Sequence, residues 1–193
     1  MMINKTRSNF TCRSGGAIGA DTCFEEIAES FGVAVDVYSY KTKTHTSKNK
    51  VELTEAEFQE GIEHVEVANH TLQKLNYQRY FKLLARNWFI VKNAKHIYAI
   101  TTIKKVKGKE MVAGGTGWAV QMAMDNHKSI TIFDQKKKSW FIWDYTLQQF
   151  QSLETAPKIT NIDFAGIGAR NINADGIKAI ENLFENSFKK PNL

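Results

Sequence analysis

Three stretches of this 193-residue chain run from a β-rich apolar segment through a glycine-rich turn into an amphipathic helix. They are Ser14 to Asp21, Gly114 to Gly117, and Gly166 to Arg170. A strand that hands over to a helix and returns to a further strand builds a parallel pair, because parallel strands need a long crossover. Repetition of that unit predicts an α/β fold: a mostly parallel sheet with helices on both faces. The length suits one domain, residues 1–193.

The remaining segments fit that plan. "NFTC" reads as a short strand, and the helix after the first turn places Phe24, Ile27, Ala28 and Phe31 on one face. "VAVDVYSY" reads as a buried strand, followed by a lysine-rich loop with no assigned element. Thr54 and Glu57 form a capping-box pattern that opens a helix carrying Phe58, Ile62, Val65, Leu72 and Leu75, with a break expected near Asn69. "YQRYFKLLARNWFIVKNA" sets Phe81, Leu84, Trp88 and Val91 at helical spacing. "HIYAITTI" and "SITIF" are strand-like, and "WFIWDY" is a strand or an aromatic turn. The last helix turns Ile177, Ile180, Leu183, Phe184 and Phe188 inward. The arrangement expected is Rossmann-like.

An apolar fraction of 42% and a charged fraction of 24% are those of a globular protein. No apolar run approaches the ~20 residues of a membrane span, so no membrane partner is expected. Cys12 and Cys23 lack zinc-type spacing, and reduced thiols in a cytoplasmic protein are expected. The five histidines likewise show no supported metal-ligand spacing, and neither metal nor cofactor is expected.

The formal charge of +6 favours an anionic partner. Its lysines concentrate at Lys41 to Lys50, Lys104 to Lys109 and Lys136 to Lys138, each just after a strand. In a parallel sheet those loops and the glycine turns share the carboxyl edge, where open α/β folds bind ligands. Glycine lets the backbone approach a ligand, and free N–H groups opening a helix favour an anion. One such turn is more often ordinary turn chemistry; three at one edge point to a phosphate-bearing small molecule. The candidate ligand-binding residues are therefore Arg13, Ser14, Gly15, Gly16, Asp21, Arg86, Asn87, Gly114, Gly115, Thr116, Gly117, Gly168 and Arg170.

At "RSGGAIGADTCFEE" (Arg13 to Glu26), "LARN" (Leu84 to Asn87), "GGTGWAVQMA" (Gly114 to Ala123) and "GIGAR" (Gly166 to Arg170) the sequence resembles the SLOG superfamily, which includes DNA-processing protein A and the LOG phosphoribohydrolases. It is most similar to small bacterial and phage proteins of that type. There the "GIGSR"-like strand comes first, whereas here "GIGAR" comes last, so the resemblance implies a circularly permuted SLOG domain. The strand Asn161 to Ala165 would then insert beside the strand ending at Cys12, with the two chain ends close together.

The resemblance implies a nucleotide or an NAD-derived ligand such as an ADP-ribose derivative, a homo-oligomer, and, from the family's presence in phages and defence systems, sensing or sequestration of an immune signal. In the phosphoribohydrolases a glutamate of the "PGGxGTxxE" loop helps break an N-glycosidic bond. Gln121 stands at that place and cannot exchange a proton near neutral pH. A nucleotide N-glycosidase is thus the alternative reading, and single-stranded nucleic-acid binding, as in the DNA-processing relatives, a third.

Several residues admit two readings. Arg13 and Arg170 either grip a phosphate together or each form a surface ion pair. Arg86 and Asn87 either reach the ligand edge or form a buried hydrogen-bonded pair. Asp21 either bonds a ligand hydroxyl or favours the helix dipole, while Glu25 and Glu26 read as a solvated helix face. Trp140, Trp143 and Tyr145 stack on a base or, as is commoner for clustered aromatics, form core or interface.

Overall fold

The structure is a computed structural model and describes residues 9–43, 45–106 and 108–188. Among these, the chain order is β1 (Thr11–Ser14), α1 (Ala20–Ser30), β2 (Ala34–Ser39), β3 (Lys50–Glu52), α2 (Glu55–Leu72) and α3 (Phe81–Lys92). There follow β4 (His96–Thr101), β5 (Ile103–Val106), β6 (Lys109–Val112), α4 (Gly114–Asp125), β7 (Ser129–Asp134), β8 (Ser139–Asp144), β9 (Gln149–Ser152), β10 (Asp163–Gly168) and α5 (Ala174–Ser187).

Eight strands form one sheet in the order β3-β2-β1-β10-β4-β7-β8-β9. All neighbours from β3 to β7 are parallel, and β8 and β9 continue the sheet as antiparallel strands. This is the expected Rossmann-like α/β architecture. The last strand in the chain, β10, lies mid-sheet, with Cys12 opposite Phe164 on one side and Tyr98 opposite Gly166 on the other. The described ends meet as well: the Phe10 and Phe188 rings pack edge to face at 5.0 Å.

Successive strand residues point to opposite faces, and this alternation builds two cores. Cys12, Tyr98, Ile100 and Phe164 pack with Phe24 of α1 and Leu183 and Phe184 of α5. Ile97, Ala99, Ala165 and Ile167 pack on the other face with Val65 of α2, Trp88 and Ile90 of α3, and Trp118 and Met122 of α4.

Thr54 caps α2 as expected: its hydroxyl accepts from the Glu57 N–H, and the Glu57 carboxylate accepts from the Thr54 N–H. The expected break at Asn69 is absent. The Asn69 side chain instead holds the backbone of Lys74 after α2 ends, leaving Leu75 outside the helix and 90% exposed. Ile177 is likewise more exposed than expected. Four strands lay in segments without an assigned element. β3 and β9 are short edge strands, and the lysine loop after β4 is a β5–β6 hairpin rather than irregular chain.

Candidate functional site

The helices that follow β10 and β1 cover one face of the sheet, whereas α4, which follows β4, covers the other. The chain thus diverges between the carboxyl ends of β10 and β4, leaving a crevice that neither helix fills. A cleft of about 540 Å³ occupies it, within the size range of small-molecule sites. Its walls come from the ends of β10 and β4, the first turn of α4, the side of α3, the start of α1 and the turn after β7.

Helix α3 is wedged between the sheet and its neighbours, so Leu84 to Val91 are all buried, polar members included. Arg86 is 4% exposed and borders the cleft. Its guanidinium lies directly over Gly15, where a Cβ would overlap it, so glycine is required there for close approach. The Arg86 Nη1 sits 3.6 Å from Asp21 Oδ2, too far for a hydrogen bond, and finds no acceptor among the described residues. A buried N–H without a partner costs about 1–3 kcal/mol, more when it carries charge. Asp21 Oδ1 accepts the Gly168 N–H at 2.9 Å. Burial raises the Asp21 pKa above the ordinary carboxylate value, with the Arg86 charge and the Gly168 N–H opposing that rise.

Opposite Arg86, α4 begins within the glycine run itself. Gly114 has φ of +68°, a conformation that strains an L side chain, and a Cβ on either Gly114 or Gly115 would meet nothing within 4 Å. No side chain caps this helix. Its opening N–H groups therefore present partial positive charge at the cleft. Asn87 donates to the Gly115 carbonyl at 3.3 Å and ties α3 to that turn, and Thr116 adds a hydroxyl to the lining. Lys104, Lys136 and the exposed Arg170 also line the cleft, so four cationic side chains face one carboxylate.

The structure thus brings together Asp21, Arg86, Asn87, Gly114, Gly115, Thr116, Gly168 and Arg170. It places Arg13 elsewhere: its Nη1 donates to Asp163 Oδ1 at 2.7 Å and its Nε lies 3.8 Å from Asp36, on the two flanking strands. Arg13 therefore does not join Arg170. Ser14 lies beneath the first turn, its hydroxyl bonded to the Asp21 carbonyl at 3.1 Å, and Gly16 packs beside His45. The glycines of the third motif serve packing. Gly166 lies under the Phe24 ring, and Gly168 passes close to the Ile100 carbonyl and Ala20. Gly117 similarly packs against the Val112 carbonyl.

Gln121 does not line the cleft; its amide donates to Asp125 one turn along α4 at 2.8 Å. Trp140 packs edge to face on Phe133, Trp143 on Phe150, and the Tyr145 hydroxyl bonds the Lys128 carbonyl, so these aromatics are engaged within the fold. Glu25 is buried and accepts from the Ser47 hydroxyl and the Asn49 amide, which corrects its reading as a solvated residue. Sequence reasoning missed Thr101, Thr102, Gln135 and Asn171 in the lining. It also missed Asp134, whose buried carboxylate accepts the N–H groups of Ile103, Lys136 and Lys137 and so shapes two rims of the cleft. Their one sequence signal is position just beyond a parallel strand.

The chain shows no significant match to any protein-family model, curated protein or solved structure. No helix among the described residues is long and apolar enough to cross a membrane.

Proposed function

We propose that this protein holds a phosphate-bearing, nucleotide-like small molecule, a nucleotide or an ADP-ribose derivative, in the cleft between β10 and β4. The observation that carries the reading is that the buried Arg86 guanidinium and the uncapped N-terminus of α4 line one cleft. An anionic oxygen between them gains a charge-assisted hydrogen bond from Arg86 and the helix-terminal N–H groups together. Lys104, Lys136 and Arg170 raise the local concentration of anions. Asp21 presents a carboxyl group suited to a ribose hydroxyl.

The ligand is held rather than cleaved, because the residue aligned with the phosphoribohydrolase glutamate is Gln121, which is turned away toward Asp125. The resemblance to the SLOG superfamily supports the same class of ligand, and the mid-sheet place of β10 beside β1 agrees with the permuted order that the resemblance implies. A protein that holds such a molecule unchanged acts as a sensor of a nucleotide signal or as a sink for it. Engagement of Trp140, Trp143 and Tyr145 inside the fold leaves the single-stranded nucleic-acid reading without these stacking groups.

Calorimetry combined with mass spectrometry tests this with NAD, ADP-ribose, its cyclic forms, AMP and cyclic dinucleotides. Binding of at least one ligand at unchanged mass is expected, weakening with added salt and falling about 10–100-fold in Arg86→Ala, the loss of one charged hydrogen bond. A changed ligand mass overturns the holding role, and affinity for none of them overturns the reading altogether.

A further inference from the structure

Beside the cleft lies a second cavity of about 340 Å³. Leu72 at the end of α2, Met111 and Val112 of β6, and Trp118 of α4 supply an apolar lining, and Lys74 and Lys104 bring positive charge. The two cavities share Lys104, Ala113 and Gly114 as a common border. That border is the glycine turn where α4 begins without a cap. One side therefore offers the side chains of Arg86 and Asp21, the other Leu72, Met111 and the edge of a largely buried indole, and the shared boundary offers backbone N–H groups and a lysine.

Building on the proposed nucleotide-like ligand, we infer that the ligand is bipartite and crosses this boundary: its aromatic base lies in the groove beside Trp118, its phosphates rest against the Ala113–Gly114 turn and Lys104, and a second sugar reaches Asp21 and Arg86. The ligand class is a nucleoside joined through a phosphate linkage to a further sugar, as in ADP-ribose. The indole of Trp118 is held in place by Tyr77, whose ring centroid is 5.3 Å away at an interplanar angle of 33°. A rigid aromatic wall loses little conformational entropy when a base packs on it. The glycines at the border leave room for the linkage, since neither Gly114 nor Gly115 would bring a Cβ near any atom.

The groove can be filled without touching the cleft. Met111 is partly exposed and lines only the groove, so Met111→Trp narrows the slot while Asp21, Arg86 and the α4 turn stay as they are. Calorimetry of the full chain with ADP-ribose and with ribose 5-phosphate is the test. ADP-ribose is expected to bind the wild-type protein at least about tenfold more tightly than ribose 5-phosphate, and Met111→Trp to remove most of that advantage with ribose 5-phosphate affinity unchanged. With Trp88, Trp140 and Trp143 replaced by Phe, the remaining Trp118 fluorescence is expected to change on addition of ADP-ribose and not of ribose 5-phosphate. An ADP-ribose affinity indifferent to Met111→Trp, with unchanged fluorescence, overturns the bipartite ligand and leaves the nucleotide-binding reading standing. Failure of ADP-ribose to bind the wild-type protein also overturns it, whereas the broader reading falls only if every nucleotide fails.

Discussion

Arg86 and Asp21 form a buried pair whose terms are badly matched. The cation is 4% exposed and 3.6 Å from the carboxylate, one donor is unused, and the carboxyl group is raised in pKa by its own burial. Buried pairs of this kind are often less stable than neutral groups of similar volume. Replacing both, as Arg86→Met with Asp21→Asn, is expected to raise unfolding stability at neutral pH by about 1–3 kcal/mol, measured by urea denaturation, while abolishing ligand binding. Asn at position 21 still accepts the Gly168 N–H. The pH dependence has a definite sign. A carboxyl group whose folded pKa lies above its unfolded value keeps its proton longer in the folded state, so its contribution is fullest below the unfolded value and is lost as pH rises through the folded one. Arg86→Met alone removes an opposing cation and should steepen that fall, and the double variant should eliminate it. An unchanged slope in the double variant would show that Asp21 does not titrate in this range.

At the scale of elements, the glycines divide by what stands opposite them. Gly15 faces the tip of a flexible arginine, whereas Gly168 faces the backbone carbonyl of Ile100 on the neighbouring strand. Gly15→Ala is therefore expected to fold with little loss of stability yet to bind ligand at least about tenfold more weakly, because Arg86 must swing aside. Gly168→Ala forces β10 and β4 apart or shifts α1, and overpacking of this kind costs about 1–3 kcal/mol. Thermal melts beside calorimetry separate the two effects, and the opposite ranking would mean that the sheet yields more readily than the arginine. The same distinction explains what could be read in advance. Helical spacing revealed α1, α3 and α5 because each buries one continuous apolar stripe or more. The β5–β6 hairpin was illegible because Lys104, Lys105 and Lys109 keep most of it exposed, and a strand that buries only one end residue carries no alternation.

For the whole molecule, the sheet order places the last strand between the first and the fourth, and Phe10 meets Phe188 where the described chain ends. Connectivity should thus be separable from architecture. Joining the two termini and opening the exposed loop between Thr155 and Ala156 would make β10 and α5 the first elements instead of the last. That permuted chain is expected to give the same far-UV circular dichroism, a single cooperative unfolding transition and the ligand affinity of the parent; loss of cooperative folding would show that chain order itself is needed. The sequence by itself determined the alternation of strand and helix, the α/β class, and the lysine- and glycine-bearing loops at one edge of the sheet. These follow from local periodicity and from the need of parallel strands for crossovers. Only the tertiary structure decided that Arg86, not Arg13, faces the cleft. Both arginines adjoin suggestive motifs, but the strands flanking β1 supply Asp36 and Asp163 to neutralise one, while the wedge position of α3 buries the other at the cleft with a single carboxylate 3.6 Å away. A side chain's partners come from residues distant in sequence, so no local pattern could have told the two apart.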